Sequence, residues 1–260
     1  MINNLPGRQF GVEIEFCTDY GMRNVRNILR DNGIDVHYPD WEDGEGWKLV
    51  EDGSVDDGWE LVSPILSGPE GFAEVAKALE ILTDNVGAWI DFSCGLHVHV
   101  NANDLSTASI ANAMLRYDSH SHEIDKVVHP QRLDNRFCLD ISEEVTAIRR
   151  RIGKISQIKT FDLATLAPSR YKKLNLAAYL KHGTLEFRLH EGALSVEAVT
   201  NWIAFCVQFI EDSICDVIEI AGLDTLVVKE DHGPFANLPT ETQNYFKKRA
   251  EHNAKYAPEL

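Results

Sequence analysis

Gly11-Val12-Glu13-Ile14-Glu15-Phe16 is the stretch on which the reading of this chain turns. Side chains alternate across a β-strand, so Glu13 and Glu15 project to one face while Val12, Ile14 and Phe16 project to the other. Two later stretches repeat the pattern with other polar pairs: Gly95-Leu96-His97-Val98-His99-Val100 and Thr184-Leu185-Glu186-Phe187-Arg188-Leu189. Placed in one sheet, the three strands give an apolar face and a face of carboxylates, imidazoles and a guanidinium. Antiparallel sheets commonly carry one polar face, but its usual residues are Thr, Lys, Ser or Gln rather than a set of metal ligands and an Arg. The choice of residues, more than their alternation, points to a site.

Working outward, Trp47-Lys48-Leu49-Val50-Glu51-Asp52 and Trp59-Glu60-Leu61-Val62-Ser63 flank a Gly/Asp-rich turn and read as a hairpin. Residues 21–33 read as a short helix closed by Asn32-Gly33, and 67–86 as a longer one with Phe72, Val75, Leu79 and Leu82 at helical spacing. Further along, 89–100 reads as a strand, 106–128 as a helix and 143–155 as a basic helix. Residues 179–190 follow as the third polar-paired strand, 195–220 as a long apolar helix and 241–252 as a short one. Irregular alternation with a hairpin predicts an α+β fold, a mainly antiparallel sheet with helices packed on one face and the polar face exposed. Residues 1–222 are expected to form the catalytic domain and 223–260 a polar extension packed on it.

The 260 residues carry a formal charge of −16, which repels nucleic-acid backbones and anionic membranes. That charge is uneven: residues 40–60 hold nine acids against Lys48, and residues 149–181 hold nine bases against Asp162. An acidic stretch suits cations or a cationic amine, and a basic one suits phosphate or an acidic amino acid or peptide terminus. Cys17, Cys94, Cys138, Cys206 and Cys215 form an odd set without a C-x-x-C pair, as expected of a reducing compartment. The first residues lack the basic start and apolar run of a secretory signal, and Glu211, Asp212, Asp216 and Glu219 interrupt the most apolar stretch. A cytoplasmic protein is expected.

Two carboxylates at i and i+2 repel each other unless a cation lies between them, so Glu13 and Glu15 suit a divalent ion. Asp52 and Glu60 face each other across the expected hairpin, while alternation directs Glu51 to the opposite face. With His97 and Glu186 added, five carboxylates and an imidazole can serve two octahedral ions such as Mg2+ or Mn2+; zinc would ask for a His/Cys tetrahedron. Paired cations beside basic residues are the equipment of phosphate chemistry. The candidate basic and polar partners are Arg188, the Arg170-Tyr171 pair with Asn175, and the Arg132, Asn135 and Arg136 cluster. No P-loop and no nucleophile elbow occur in the sequence.

The ordered set of the Glu13/Glu15 strand, Glu51-Asp52-Gly53-Ser54, Trp59-Glu60-Leu61-Val62-Ser63-Pro64, Cys94 to Val100, Arg170-Tyr171 with Leu174-Asn175, and Thr184 to Arg188 resembles the amidoligase family. That family is a compact branch of the glutamine synthetase and glutamate–cysteine ligase superfamily, and the resemblance runs from about Phe10 to near Ile220. It implies a curved sheet like the glutamine synthetase catalytic domain. It also implies that Glu13, Glu15, Asp52, Glu60, His97 and Glu186 hold two Mg2+ or Mn2+ ions. His99 would approach ATP phosphates, with Arg132, Arg136 and Arg170 as further nucleotide contacts. Arg188 and Glu186 would be catalytic, and Tyr171, Asn175 and Arg188 would meet substrate. Asp52 stands where glutamine synthetases have Glu, though glutamate–cysteine ligases use Asp there. The implied reaction is ATP-dependent amide formation through an acyl phosphate, joining a small-molecule or peptide carboxylate to an amine. A metal-dependent hydrolase and a non-catalytic binding protein are the competing readings. Without an evident extra N-terminal domain to complete a shared site, a monomer or dimer is expected.

Overall fold

A computed structural model describes residues 6–37, 45–51, 53 and 58–256. Nine strands are present among them: β1 (Phe10–Cys17), β2 (Val36–His37), β3 (Trp47–Val50), β4 (Gly58–Val62), β5 (Leu96–Asn101), β6 (Leu174–Asn175), β7 (Thr184–Phe187), β8 (Asp216–Ile220) and β9 (Leu223–Val227). The α-helices are α1 (Met22–Asp31), α2 (Gly68–Asp84), α3 (Thr107–Ser119), α4 (Ser121–Asp125), α5 (Ser142–Arg149), α6 (Thr160–Ala164), α7 (Ala178–His182), α8 (Val196–Asp212) and α9 (Thr240–Asn253). Seven strands form one sheet in the order β2-β3-β4-β1-β5-β7-β6, and β8-β9 is a separate ribbon. The fold is α+β. The large sheet is mixed, because β2 and β3 run parallel while its other pairings are antiparallel.

The apolar residues of β1, β5 and β7 are almost fully buried. Phe187 of β7 meets Phe205 and Phe209 of α8 and Tyr117 of α3, and Phe10 of β1 meets Phe72 of α2. Rings at these tilted or edge-on distances gain both area burial and quadrupole attraction. Phe246 of α9 closes the same cluster from the C-terminal side, against Trp202, Phe205 and Phe235. Among the described residues, no helix is long and apolar enough to cross a membrane.

Several elements are shorter than their periodicity predicts. The apolar run 195–220 divides: α8 ends at Asp212, where the Ser213 hydroxyl donates to the Phe209 carbonyl, and the β-branched residues beyond it enter β8. Ala221 and Gly222 adopt φ of 54° and 81°, the conformation of a tight two-residue hairpin turn into β9. An apolar run cannot by itself distinguish these outcomes. Residues 179–190 likewise contain the end of α7, a left-handed cap at Gly183 (φ 66°) and only then β7. Regular strand structure in 89–100 starts at Leu96, α3 gives way to α4 at His120, and the basic helix ends at Arg149 before a 3-10 segment, Ile152–Gln157.

Candidate active site

Register aligns the polar pairs into a continuous patch. Glu15 lies opposite Glu60, Glu13 opposite His97, and His99 opposite Glu186, which in turn faces Asn175. Directly opposed residues share a face, and like charges so placed are destabilising by themselves. The patch is also covered rather than exposed, contrary to expectation. Residues from the 136–182 segment arch over it and close a cavity of about 820 Å³ whose sheet side carries Glu13, Glu60, His97, His99, Glu186 and Arg188. Arg136, Arg170, Tyr171, Lys181 and His182 line the same cavity from outside the sheet. Buried charge survives only when it is paired, and these groups pair with one another.

Glu13 is the hub. One carboxylate oxygen lies 3.0 Å from His97 Nδ1 and the other 3.2 Å from His99 Nε2. Burial pushes its pKa up, but hydrogen bonding and charge from the two imidazoles outweigh burial and hold it well below the ordinary range. Burial likewise acts to lower His99, while Glu13 and Glu186 win and raise it. Ligand atoms of Glu13, Glu60 and His97 fall within 4.8 Å of one another, as do those of Glu13, His99 and Glu186. Glu13 belongs to both sets. Glu15 stands one layer deeper, accepting from the Gly95 N–H and lying 3.7 Å from His97 Nε2.

Glu186 forms an ion pair with Arg188, and Asn175 Nδ2 donates to its second oxygen at 2.6 Å. That bond turns Asn175 Oδ1 the other way, and this buried oxygen has no hydrogen-bond partner among the described residues. Arg188 also donates to the Phe137 carbonyl at 3.3 Å. Arg170 lies over the Tyr171 ring and donates to its hydroxyl at 3.0 Å; Arg136 lies over Phe137. Arg132, expected at the nucleotide, is instead buried beneath the site, donating to the Arg188 and Leu189 carbonyls at 3.1 and 3.4 Å. Asp52 lies outside the described residues. Glu51, expected on the opposite face, lines the cavity, because β3 ends at Val50 and alternation no longer constrains the next side chain.

Sequence reading missed Lys181, His182 and Phe137. His182 lies edge-on to His99 at 5.6 Å, and its pKa is lowered, by burial first and then by His99 and Lys181. Its only sequence signal, Lys-His-Gly, reads as an ordinary helix end. The basic run also divides: Lys172 pairs with Glu144 and Lys173 with Asp125, leaving Arg170 and Lys181 at the cavity. A second, more apolar cavity of about 260 Å³ opens beside the first, sharing Glu13, His99 and His182 and lined by Phe10, Pro64, Ile65, Asn101, Asn103 and Thr184 among others.

A sheet-borne cluster of carboxylates and imidazoles, with a guanidinium just past the strand that carries one of the acids, offers donors of the kind that divalent cations accept. The profile of the family described as "Putative amidoligase enzyme" matches residues 6–210, and the chain belongs to that family. No curated protein is similar enough to count as a match.

Proposed function

We propose that this protein is an ATP-dependent carboxylate–amine ligase that uses Mg2+ or Mn2+ and forms an amide bond through an acyl phosphate. One observation carries the reading: Glu13, Glu60, His97, His99 and Glu186, drawn from four strands, and Arg188, one residue past the last of them, line one cavity together with Arg136, Arg170 and Lys181. The donors are oxygens and imidazole nitrogens without a thiol, which fits hard cations. The unpartnered Asn175 Oδ1 offers a further acceptor for a cation-bound water or an amine. Glu13, Glu60, His97, His99 and Glu186 would hold the cations, Glu13 being common to both donor sets. Bound cations would neutralise phosphate oxygens and polarise the transferring group.

The remaining roles follow from the chain's own geometry. The smaller cavity, apolar with Asn101, Asn103 and Thr184 at its edge, suits a planar base whose phosphates reach His99. Arg188, held by Glu186 and the Phe137 carbonyl, is oriented to hold a carboxylate and then the charge that grows on its oxygens as phosphoryl transfer proceeds. Arg136, Arg170 and Lys181 would supply countercharge from the same cavity lining, and Tyr171 would flank the acceptor. A carboxylate oxygen attacks the γ-phosphorus and ADP leaves; an amine then displaces phosphate from the resulting acyl phosphate, its proton passing to a free carboxylate. The kinship also supports a compact version of the curved glutamine synthetase sheet; the odd set of cysteines and the net charge of −16 support a cytoplasmic location and action without nucleic acid or membrane, as a monomer or dimer.

Phosphate release from ATP, measured with Mg2+ and a panel of acids and amines, tests the reading. Release should need the cation, one acid and one amine together. Glu186→Gln and Glu13→Gln should each lower turnover by at least ~10²–10³-fold while the far-ultraviolet circular dichroism is unchanged. Full activity in both variants, or calorimetry showing no Mg2+-dependent ATP binding, would overturn it.

A further inference from the structure

Beyond the oxygen-rich centre, the fold brings together two cysteines that sequence spacing leaves unrelated. Cys17 ends β1, two residues past Glu15; Cys94 lies in the loop before β5, immediately before the Gly95 whose N–H holds Glu15. The sulfurs are 3.8 Å apart, and Cys94 Sγ is 3.6 Å from Asp91 Oδ1. With Ile90 against them, the two thiols form a small buried cluster apart from the main core. Ligand atoms of Cys17, Asp91 and Cys94 all fall within 4.8 Å of one another.

These spacings match a specific coordination figure. A tetrahedral ion with metal–sulfur bonds of ~2.3 Å and a metal–oxygen bond of ~2.0 Å sets its sulfurs ~3.8 Å apart and sulfur from oxygen ~3.5 Å apart. A disulfide would need the sulfurs at ~2.05 Å, well inside the separation found here. The supports are firm as well. Asp91 Oδ1 accepts from the Ser93 N–H at 2.8 Å and the Ser93 hydroxyl at 2.6 Å, which fixes the carboxylate's direction. Cys17 is pinned to Trp89 by backbone bonds of 2.9 and 3.0 Å in both directions. Gly192 lies close over the Cys94 Cβ, where a side chain would meet it at 2.6 Å. Asp91 is only partly buried, so an ion has an approach from solvent and a fourth position open to water.

We propose that Cys17, Cys94 and Asp91 form a second metal site, for a thiophilic tetrahedral cation such as Zn2+, distinct from the carboxylate centre. Binding exchanges the two thiol protons, released to solvent, for two metal–thiolate bonds, with no change of oxidation state. The bound ion would tie the end of β1 to the loop before β5 and so steady Glu15 from behind. Its role is therefore positional.

Cobalt reports the site directly, because a thiolate–Co2+ charge-transfer band arises only from sulfur ligands. Co2+ added to the reduced full-length protein should produce that band together with the d–d bands of a tetrahedral ion. Excess Mg2+ should leave the bands in place, and Zn2+ should bleach them. Cys17→Ser and Cys94→Ser should each abolish the band, whereas Cys215→Ser, remote from the cluster, should retain it. No thiolate band in the wild-type protein would overturn the proposal without reference to any variant. So would mild oxidation giving a Cys17–Cys94 cross-linked peptide from a protein that takes up no cobalt. The readout needs neither ATP nor turnover, so its failure is separate from failure of the ligase reading.

Discussion

Glu13 touches both imidazoles of the neighbouring strand, and their hydrogen bonds and charge hold its carboxyl well below the ordinary range against the opposing effect of burial. His97 and His99 hydrogen-bond to Glu13, and Arg188 pairs with Glu186, so each of these two acids has a partner in the patch. A contrasting buried imidazole lies nearby. His190 is fully buried against Trp202; burial first, then Arg249 and Arg132, drives its pKa well below the ordinary value. Its Nδ1 donates to the Glu191 carbonyl at 2.7 Å, and its Nε2 has no hydrogen-bond partner among the described residues. The unfolded chain therefore takes up a proton that the folded core refuses. His190 should erode stability progressively as pH falls below its unfolded pKa of about 6.5, by up to ~1.4 kcal/mol per pH unit, and have no such effect above it. His190→Asn, which can keep the Nδ1-type bond, should flatten this part of the profile. Urea midpoints of the two proteins measured from about pH 5 to 8 would show the curves diverging on the acid side. Parallel curves would contradict the assignment.

At the scale of elements, the β1–β5 junction depends on one small residue. A Cβ on Gly95 would come 2.9 Å from His97 Nε2, 3.1 Å from Arg132 Nη2 and 3.3 Å from Glu15 Oε2. Gly95→Ala should therefore push apart three groups of the site and its support, costing about 1–3 kcal/mol in stability and lowering turnover by a larger factor than Gly21→Ala. Gly21, at the N-cap of α1, has nothing within 4 Å of an added Cβ and should tolerate alanine within ~0.5 kcal/mol. Thermal melts and phosphate-release rates on the same preparations would compare them. These strands were readable beforehand because the period of two is written in residue type: Glu-x-Glu, His-x-His and Glu-x-Arg each name their face. The covering wall was not. Lys181 and His182 lie at the end of a five-residue helix, too short for a periodic signal, and Glu51 escaped because its strand stops one residue earlier. Helix ends failed for a related reason: from α8 into β8 apolar residues continue on both sides of the interrupting acids and the stretch holds neither Gly nor Pro before Gly222, so composition alone leaves the change of element unmarked.

For the molecule as a whole, one aromatic cluster joins the sheet to the C-terminal helix. Phe246 stacks on Phe235 at 4.8 Å and meets Trp202 and Phe205 edge-on, while Asn253 donates to the Lys126 and Val128 carbonyls at 3.0 and 2.8 Å. Phe246→Ala should cost about 3–5 kcal/mol by cavity formation, a fall in midpoint that differential scanning calorimetry reads directly. It should leave the stoichiometry of cation binding intact, because α9 does not line the central cavity.

The sequence by itself determined the class of fold, the three polar-paired strands and the hard-donor character of the site, since alternation and ligand chemistry are local properties of the chain. Only the tertiary structure decided that the polar face is roofed, that Glu13 is shared between two donor sets, that Arg132 braces rather than lines the cavity, and that Cys17 meets Cys94. Those facts depend on strand order, register and loop path, and these are set by how distant segments pack, which no short pattern in the chain encodes.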